Sequence, residues 1–318
     1  MRIALLTNSK LSVPAIDYLG SKNWLAGIGM PEREDRTEDA DQIRHTCMHH
    51  RIPVTMFSRN DIAVNLERWI AELRADVVFV FTFPFKIPSS VLGKPANGFI
   101  NFHFGLLPQY RGADAIFWQI RNREKEGGIS VHKMNGEYDK GPLYLVSKIP
   151  IHSSDTYGIH LLNLSMAAVQ AAQKTVELLG MDNFQVTEQD ESFATYYHRP
   201  TLSDLVIDWE KPAPDIIALI NAANPWNKGA VTFLNQYPIK IISASVITDA
   251  NYFSGDNPPG AIVMADQNKG CFVRTGSGEL VTLDILYCND SFITGIQFVK
   301  LGITTGMQFG KLPETQVA

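Results

Sequence analysis

Cysteine is scarce in this sequence: Cys47, Cys271 and Cys288 are the three in a chain of 318 residues. Their odd number and wide spacing fit neither a disulfide framework nor a zinc knuckle, so we expect buried, reduced thiols. His45 and His49 lie four residues apart on a predicted helix, but no carboxylate or thiol completes a recognisable ligand pattern around them. The sequence therefore predicts no metal site.

Long apolar runs are also missing. No stretch approaches the roughly 20 residues that span a bilayer. The first residues, MRIALLTNSKLSVP, form too short and too polar a segment for a signal sequence. We therefore expect a cytoplasmic protein that does not contact membranes.

Positive charge and phosphate-binding signatures are equally sparse. The chain has 28 Lys and Arg residues against 33 Asp and Glu residues, a net charge of −5, and gives no global attraction to nucleic acid phosphates. The first predicted strand is followed by NSKLSVP, which lacks the glycines of a dinucleotide-binding turn. Neither a phosphate-loop signature nor a serine nucleophile elbow is present. These absences exclude the commonest nucleotide-binding and serine hydrolase sites.

The first half of the sequence alternates strand-like and helix-like segments. At 318 residues the chain exceeds the usual size of one hydrophobic core, so two domains are expected. The apolar residues Ile62, Leu66, Trp69, Ile70 and Leu73 fall at helical spacing, which is typical of a helix that covers a sheet. We predict an α/β domain with a Rossmann-like parallel sheet over residues 1–187. Its strands are expected at 2–7, 24–29, 76–82, 98–103, 129–134 and 143–149, with 76–82 and 98–103 central and a helix over 155–179.

The second half of the sequence has a different character. Periodicity is lost around residues 181–204, and residues 188–204 are predicted to form a linker. Beyond it, one helical segment precedes the short strand candidates AVTFL, IKIISASVI, GAIVMAD, GCFVRTG and LVTLDILYC, which turn residues separate. Such a meander predicts a small antiparallel β-barrel over residues 205–318.

Asn101 and His103 stand two residues apart at the end of an apolar run. Alternating residues of a strand share a face, so both side chains are expected to point the same way. Ligands bind beyond the carboxyl ends of the strands of an open parallel sheet, which is where this pair lies. The alternative is structural: Asn101 caps a turn and His103 is a core histidine with its hydrogen bonds satisfied.

The segment from Asn101 to Gly141 carries a longer pattern: Asn-x-His, Leu-Leu-Pro-x-Tyr-Arg-Gly, then Trp, Met and finally Asp-x-Gly. It resembles the signature of folate-dependent formyltransferases. Outside it, RIALLTN, ADVVFVFTFPFKIPSSVL, IDWEKPAPDI and NPWNKGAVTF are similar to the corresponding parts of methionyl-tRNA formyltransferases and their sugar-modifying relatives. The resemblance thus extends over nearly the whole chain. It implies a Rossmann-like formyltransferase domain, an OB-like C-terminal barrel and 10-formyltetrahydrofolate as the formyl donor.

The same resemblance implies a catalytic trio. Asn101 and His103 would donate hydrogen bonds to the formyl oxygen as negative charge grows on it, and Asp139 would orient and charge the imidazole. Which group takes the first proton stays open. The family also suggests a cis peptide bond before Pro108. This chain departs from the family pattern at Phe104, Gly105 and Ala115, and Phe104 is expected to add bulk at the mouth of the site.

The resemblance also suggests where the pterin ring of the donor binds. Backbone groups of two loops would hold it between apolar walls, and each apolar residue concerned could equally belong to the core. The predicted donor-binding residues are Pro84, Phe85, Lys86 and Ile87, the walls Leu92 and Phe99, and Asn135, Gly136, Glu137 and Tyr138.

Charge favours a small amine acceptor over tRNA. Residues 31–41 hold six acidic residues and two arginines, and residues 205–318 hold seven Lys or Arg against ten Asp or Glu, a net of −3. Phosphate neutralisation drives most nucleic acid affinity, so both regions are poor at holding tRNA. The segments ATYYHRPTLSDLVIDWEKPA and TGIQFVKLGITTGMQFGKL are most similar to the formyltransferase that modifies a nucleotide-linked amino sugar. An amino sugar nucleotide is therefore the first choice, and initiator methionyl-tRNA is the alternative.

Other functions and a homodimer stay open. A formyltetrahydrofolate hydrolase uses a similar trio with water as nucleophile. It carries an extra domain in front, for which we expect no room because Met1 leads straight into the first strand. A catalytically silent folate-binding protein is disfavoured because the three polar residues are all retained.

Overall fold

The computed structural model describes residues 1–32, 35, 37–247 and 256–310. They form two compact units, each with its own sheet. Unit 1 comprises Met1–Ala115, Glu126–Pro150 and Leu161–Tyr197, and unit 2 comprises Ile116–Lys125, Ile151–His160 and His198–Ala318. The division into 1–187, 188–204 and 205–318 stays a prediction.

Unit 1 is built on a seven-stranded sheet with the strand order β3-β2-β1-β4-β5-β7-β8. Strands β6 and β9 pair with each other outside it. The predicted strands are all present, and the central position of the two most apolar ones is confirmed. The strands are β1 (Ile3–Thr7), β2 (Leu25–Pro31), β3 (Val54–Phe57), β4 (Val77–Phe81), β5 (Phe99–His103), β6 (Arg111–Gly112), β7 (Glu126–Lys133), β8 (Leu143–Pro150) and β9 (Tyr196–Tyr197).

The long helix lies close to its predicted position. The expected helix over 155–179 corresponds to one that covers 157–179. Within the described ranges, no helix is both long and apolar enough to cross a bilayer, and the cytoplasmic location stays a prediction. The helices up to this point are α1 (Val13–Ser21), α2 (Glu38–His49), α3 (Ile62–Leu73), α4 (Ser89–Leu92), α5 (Ala115–Arg121) and α6 (Tyr157–Leu179).

Helix α3 shows how sequence periodicity builds the core of unit 1. Ile62, Leu66, Trp69 and Ile70 are buried in one cluster with residues such as Leu6 of β1. The other faces of the central strands are buried as well, because Ile3, Leu5, Phe79 and Phe81 have no exposed surface. Burial on both faces explains why these strands are continuously apolar.

The direction of two strands differs from the expected parallel sheet. The five strands β3, β2, β1, β4 and β5 are parallel, but β7 runs antiparallel to β5, and β8 runs antiparallel to β7. A parallel connection needs a crossover of a dozen or more residues, and β7 and β8 are joined by residues 134–142 alone. The sheet is therefore mixed, and its antiparallel part lies beside β5. The structure also adds β3, which the sequence reasoning missed.

Unit 2 is an antiparallel sheet with the strand order β12-β13-β14-β11-β10-β16. Its two edges meet, because Ile262 N donates to Met307 O at 2.8 Å and Phe309 N donates to Gly260 O at 2.9 Å. The predicted small OB-like barrel is thus confirmed. The elements are α7 (Leu202–Leu205), α8 (Ala213–Ala222), β10 (Ala230–Leu234), β11 (Tyr237–Ile247), β12 (Ile262–Asp266), β13 (Gly270–Arg274), β14 (Leu280–Cys288), β15 (Ser291–Thr294), α9 (Gly295–Lys300) and β16 (Phe309–Gly310).

The three thiols are not joined in disulfides. Cys47 and Cys271 are buried as expected, whereas Cys288 at the end of β14 is only half-buried. Burial raises the pKa of Cys47 to about 11 and that of Cys271 to about 12, so both thiols stay protonated and unreactive near neutral pH.

His160 is a buried histidine in the unit 2 segment Ile151–His160. Its side chain has no exposed surface, and neither ring nitrogen has a hydrogen-bond partner among the described residues. Burial lowers the pKa of His160 to about 4, and the nearby negative charge of Asp155 opposes this shift only in part. The ring is therefore neutral at pH 7.

We expect acid to destabilise the protein through His160. The unfolded chain binds a proton on this ring near the ordinary pKa of 6.5, whereas the folded chain binds it only at about 4. The free energy of unfolding therefore falls as the pH drops through this window, by about 3 kcal/mol in total. Denaturant unfolding of the wild type and of His160→Leu between pH 7 and pH 4 measures this loss. The variant should lack it, while His152→Leu, an exposed position in the same unit, should keep it; an equal pH dependence in wild type and His160→Leu would contradict the assignment.

Candidate active site

Strands β5 and β7 place the first polar groups of the site. Asn101 is paired with His132, and His103 is paired with Ser130. Residues two apart on a strand share a face, so the side chains of Asn101 and His103 point to the same side, as predicted. His103 is buried and Asn101 is partly buried.

Asp139 comes to this pair from the loop between β7 and β8. Its Oδ1 lies 3.4 Å from Asn101 Nδ2 and 3.7 Å from His103 Nδ1. Its backbone has φ +56°, a left-handed conformation that aspartate tolerates better than most residues. The structure therefore brings the three predicted catalytic residues together, and their catalytic roles stay a prediction.

Gly141 explains the glycine of the Asp-x-Gly motif. A Cβ atom at this position would overlap the carbonyl oxygen of Lys133 and lie 3.3 Å from His132 Nδ1. Only glycine lets the loop return so closely along the end of β7. The path of this loop is what carries Asp139 back to His103.

The turn after β5 fixes one nitrogen of the His103 ring. Nε2 lies 2.7 Å from the carbonyl oxygen of Tyr110. A carbonyl oxygen can only accept, so Nε2 carries a proton and donates it. Nδ1 is then the nitrogen that faces Asp139 and can gain or give a proton.

The carboxyl group of Asp139 is held in its charged form. Burial alone raises its pKa, but the positive charge of His103, a hydrogen bond from His132 and the backbone N–H of Gly112 outweigh burial. The Gly112 N–H donates to Oδ2 at 2.9 Å. The pKa of Asp139 therefore lies well below its usual range, and the carboxylate stabilises a charged imidazole beside it.

His132 is a further site residue that the sequence reasoning missed. Its Nε2 lies 3.1 Å from Asn101 Nδ2 and 3.5 Å from Asp139 Oδ1. A neutral ring accepts a hydrogen bond from Asn101 through this nitrogen, and a protonated ring donates to Asp139 instead. The signal was present in the predicted strand ISVHKM, but without the strand pairing it could not be connected to Asn101.

Ser130 ties the turn after β5 to β7. Its Oγ donates to Gly105 O at 2.7 Å and accepts from Leu107 N at 2.9 Å. The peptide bond between Leu107 and Pro108 is cis, as expected. The expectation for Phe104 is wrong: its ring is buried, with its centroid 6.2 Å from that of Phe81, so it packs on the core and adds no bulk at an open mouth.

The predicted donor-binding residues lie on two loops that meet. Lys86 Nζ lies 5.4 Å above the ring of Tyr138, which joins the loop after β4 to the loop after β7. Partly buried apolar side chains next to these loops, Phe83, Phe85, Leu92 and Met134, pack on the core cluster and can offer an apolar wall to an aromatic ring. The other predicted members divide into Ile87 and Phe99, which are core residues of that cluster, and Pro84, Lys86, Asn135, Gly136, Glu137 and Tyr138, which are exposed.

Comparisons with known proteins identify the family. Residues 30–169 match the formyl transferase family, and residues 201–294 match the C-terminal domain of formyl transferases. The methionyl-tRNA formyltransferase of Dictyoglomus thermophilum is 31% identical over 234 residues, which cover 73% of this chain and 74% of that protein. The chain belongs to the formyl transferase family. It is a folate-dependent formyltransferase, an enzyme that transfers a one-carbon group.

Other formyl transferases resemble the chain over more of its length. The methionyl-tRNA formyltransferase of Sorangium cellulosum is 32% identical over 284 residues, 88% of this chain and 90% of that protein. Among solved structures, an N-formyltransferase from Helicobacter canadensis in complex with folinic acid and dTDP-3-aminofucose has a TM-score of 0.67 and 17% identity. That alignment covers 89% of this chain and 98% of the other. At this identity the structural likeness shows a shared fold.

We expect Gly141→Ala to lower formyl transfer by moving Asp139. The added methyl group collides with backbone, which cannot turn away as a side chain can, so the loop between β7 and β8 must shift. A displacement of about 1 Å at a reacting group can cost about 100-fold in turnover. The release of tetrahydrofolate in the presence of an amine acceptor measures this effect. Gly93→Ala is the control, because a methyl group there meets no atom within 4 Å, and wild-type turnover in Gly141→Ala would disprove the steric argument.

Proposed function

We propose that this enzyme transfers the formyl group of 10-formyltetrahydrofolate to the primary amine of an amino sugar nucleotide. The observation that carries the reaction type is the convergence of Asn101, His103 and Asp139 at the end of β5. The donor supplies a formyl carbon bound to a folate nitrogen, which an amine can attack. The two loops that meet at Lys86 and Tyr138 are proposed to hold its pterin ring.

Asn101 and His103 stabilise the negative charge that grows on the formyl oxygen. The Asn101 amide nitrogen and His103 Nδ1 both lie within 4 Å of the same Asp139 oxygen, so a formyl oxygen that binds beside them can be reached by both groups. Fixed donors of this kind need little reorganisation as the charge appears, which is the source of their catalytic effect. Asp139 is a weak base because its pKa is low, and its role is to keep the imidazole charged and oriented.

His103 is also the group that moves protons. Its Nε2 proton is engaged by the Tyr110 carbonyl, so exchange with the amine and the folate nitrogen takes place at Nδ1. In this scheme Nδ1 carries a proton when the oxyanion forms and passes it to the folate nitrogen as the bond between that nitrogen and the formyl carbon breaks. The freed Nδ1 then takes the proton that the newly bonded amine nitrogen must lose. The attacking amine must enter neutral, because a protonated amine has no lone pair.

Replacing any of Asn101, His103 or Asp139 by alanine should reduce turnover about 100- to 1000-fold, since each removes a donor or the charge that holds one. The measurement is the rate of tetrahydrofolate release together with mass detection of the formylated amine. His45→Ala, an exposed histidine on α2, should retain wild-type turnover. If His103→Ala and Asp139→Ala both fold and keep wild-type transfer, the assignment is wrong.

The choice of acceptor rests on charge. Of the acidic residues in 31–41, Glu38, Asp39 and Asp41 form the first turn of α2, where carboxylates favour the helix dipole. Arg33, Glu34 and Arg36 lie outside the described residues. The acidic turn has a structural reason, yet it still repels a phosphate backbone at that surface. The sequence relatives named methionyl-tRNA formyltransferase support tRNA as the alternative, and the dTDP-3-aminofucose in the Helicobacter canadensis structure supports a sugar nucleotide.

A panel of acceptors decides between these substrates. The purified enzyme is given 10-formyltetrahydrofolate with dTDP-3-aminofucose, a UDP-linked 4-amino sugar, initiator methionyl-tRNA, or no amine. We expect turnover with a sugar nucleotide that changes little between 50 and 200 mM salt, because few phosphates are neutralised. Strong, selective and salt-sensitive formylation of the tRNA would overturn the preference, and folate release without amine would indicate hydrolysis.

A further inference from the structure

Arg111 is a buried cation beside the proposed catalytic residues. Its side chain has no exposed surface, and its guanidinium donates five hydrogen bonds. Two reach the carboxylate of Glu191, at 2.7 and 2.9 Å, and one reaches the hydroxyl of Tyr196 at 2.6 Å. The remaining two reach the Oε1 atom of Gln189, at 2.7 and 3.2 Å. Each of these partners lies in the segment between α6 and α7, which the sequence predicts to be a linker.

The amide of Gln189 joins this cation to the loop that carries Asp139. Its Nε2 donates to the carbonyl oxygens of Asp139 at 2.8 Å and Gly141 at 2.7 Å. Its Oε1 accepts from Arg111. One carboxamide therefore uses both donor hydrogens on one loop and its acceptor on another, with no capacity left over.

Gln189 thus bridges Arg111 and the loop that carries Asp139. The backbone at each end of this bridge bonds the proposed catalytic groups directly. The residue before Arg111 supplies the carbonyl that accepts from His103 Nε2, and the residue after it supplies the N–H that donates to Asp139 Oδ2. The other end fixes the backbone of Asp139 itself. The distance between His103 and Asp139 is thus set on both sides by groups that Gln189 connects.

We propose that Gln189 is a positioning residue that keeps the Asp139 carboxylate beside His103. This inference rests on the catalytic roles proposed above. The Gln189 side chain bonds the Arg111 side chain and the backbone of Asp139 and Gly141, so it acts on the Asp139 carboxylate through the backbone. Gln189, Glu191 and Tyr196 all bond Arg111, and we call these three residues the latch. The segment after α6 therefore holds Arg111 in place and also connects α6 to α7.

Two variants of Gln189 distinguish a latch that only stabilises the fold from a latch that also positions Asp139. Gln189→Met removes all four hydrogen bonds at nearly constant volume. Gln189→Glu keeps oxygens for Arg111 but turns the two donors toward Asp139 and Gly141 into acceptors, which repel the carbonyl oxygens. If the latch mattered only for holding Arg111, Gln189→Glu would behave as wild type.

We expect both variants to lower kcat about 10- to 100-fold, with KM for 10-formyltetrahydrofolate changed less than about 2-fold. Turnover is measured with whichever amine of the panel above is formylated. Gln173→Met is the matched control, because Gln173 is an exposed glutamine on α6 whose amide bonds Glu177. Wild-type kcat in Gln189→Glu, or equal changes in kcat and KM in both variants, would overturn the proposal.

Hydrogen exchange gives a readout that needs no acceptor. The Gly112 N–H is protected by Asp139 Oδ2, so its exchange in deuterium oxide, followed by NMR, should accelerate at least 10-fold in both Gln189 variants and stay unchanged in Gln173→Met. Unchanged exchange in Gln189→Met would overturn the proposal even if no amine of the panel is formylated. Failure of the proposed function looks different: there the alanine variants of Asn101, His103 and Asp139 stay active, whatever the Gln189 variants do.

Discussion

The ionised carboxylate of Asp139, nearly buried beside His103, is the constraint on which the site depends. A carboxylate taken out of water loses its solvation and would normally take up a proton, so its charge survives only where fixed partners replace the water. Here the replacements are two imidazoles and a backbone N–H, and they come from β5, β7 and the turn at Gly112. A shift of any of these segments would remove a partner that favours the ionised form of the Asp139 carboxyl group. The proposed catalytic role of His103 therefore depends on the backbone positions of three separate segments.

The mixed sheet explains how three segments can meet with this precision. Pairing of β5 with β7 fixes Asn101 against His132 by backbone hydrogen bonds, which leave less freedom than loop contacts do. Because β7 and β8 form a hairpin, the loop that carries Asp139 is short, and it returns to Asn101 and His103. Ser130 on the same strand holds the turn after β5, so β7 both fixes that turn and pairs with Asn101.

Much of this arrangement was predictable from the sequence, and the parts that were not have a common physical cause. Asn101 and His103 follow from alternation along one apolar strand, and α3 follows from its helical spacing, because both patterns are local. Asp139 came only from the family resemblance, since 36 positions separate it from His103 and no periodicity connects them. His132 and Gln189 were missed for the same reason: their partners are distant in sequence, at Asn101 and Arg111. Residues 188–204 read as a linker because they lack periodicity, yet hydrogen bonds to a buried arginine order that segment without any apolar pattern.

Specificity must lie outside the trio, because the chemistry at the formyl carbon is the same for every primary amine. The proposed role of Asn101, His103 and Asp139 is to stabilise an oxyanion whose structure hardly depends on what else the amine carries, so in this role they cannot distinguish a sugar from an aminoacyl-tRNA. What distinguishes these acceptors is the number of phosphates that accompany the amine: one or two in a sugar nucleotide, and a whole stem in tRNA. Long-range charge is sensitive to that number and the trio is not. The carboxylates in the first turn of α2 favour the helix dipole, and they would also repel each phosphate that an acceptor brought near them. A sugar nucleotide carries one or two phosphates and would meet less of this repulsion than tRNA, which is the physical reason for proposing a small acceptor.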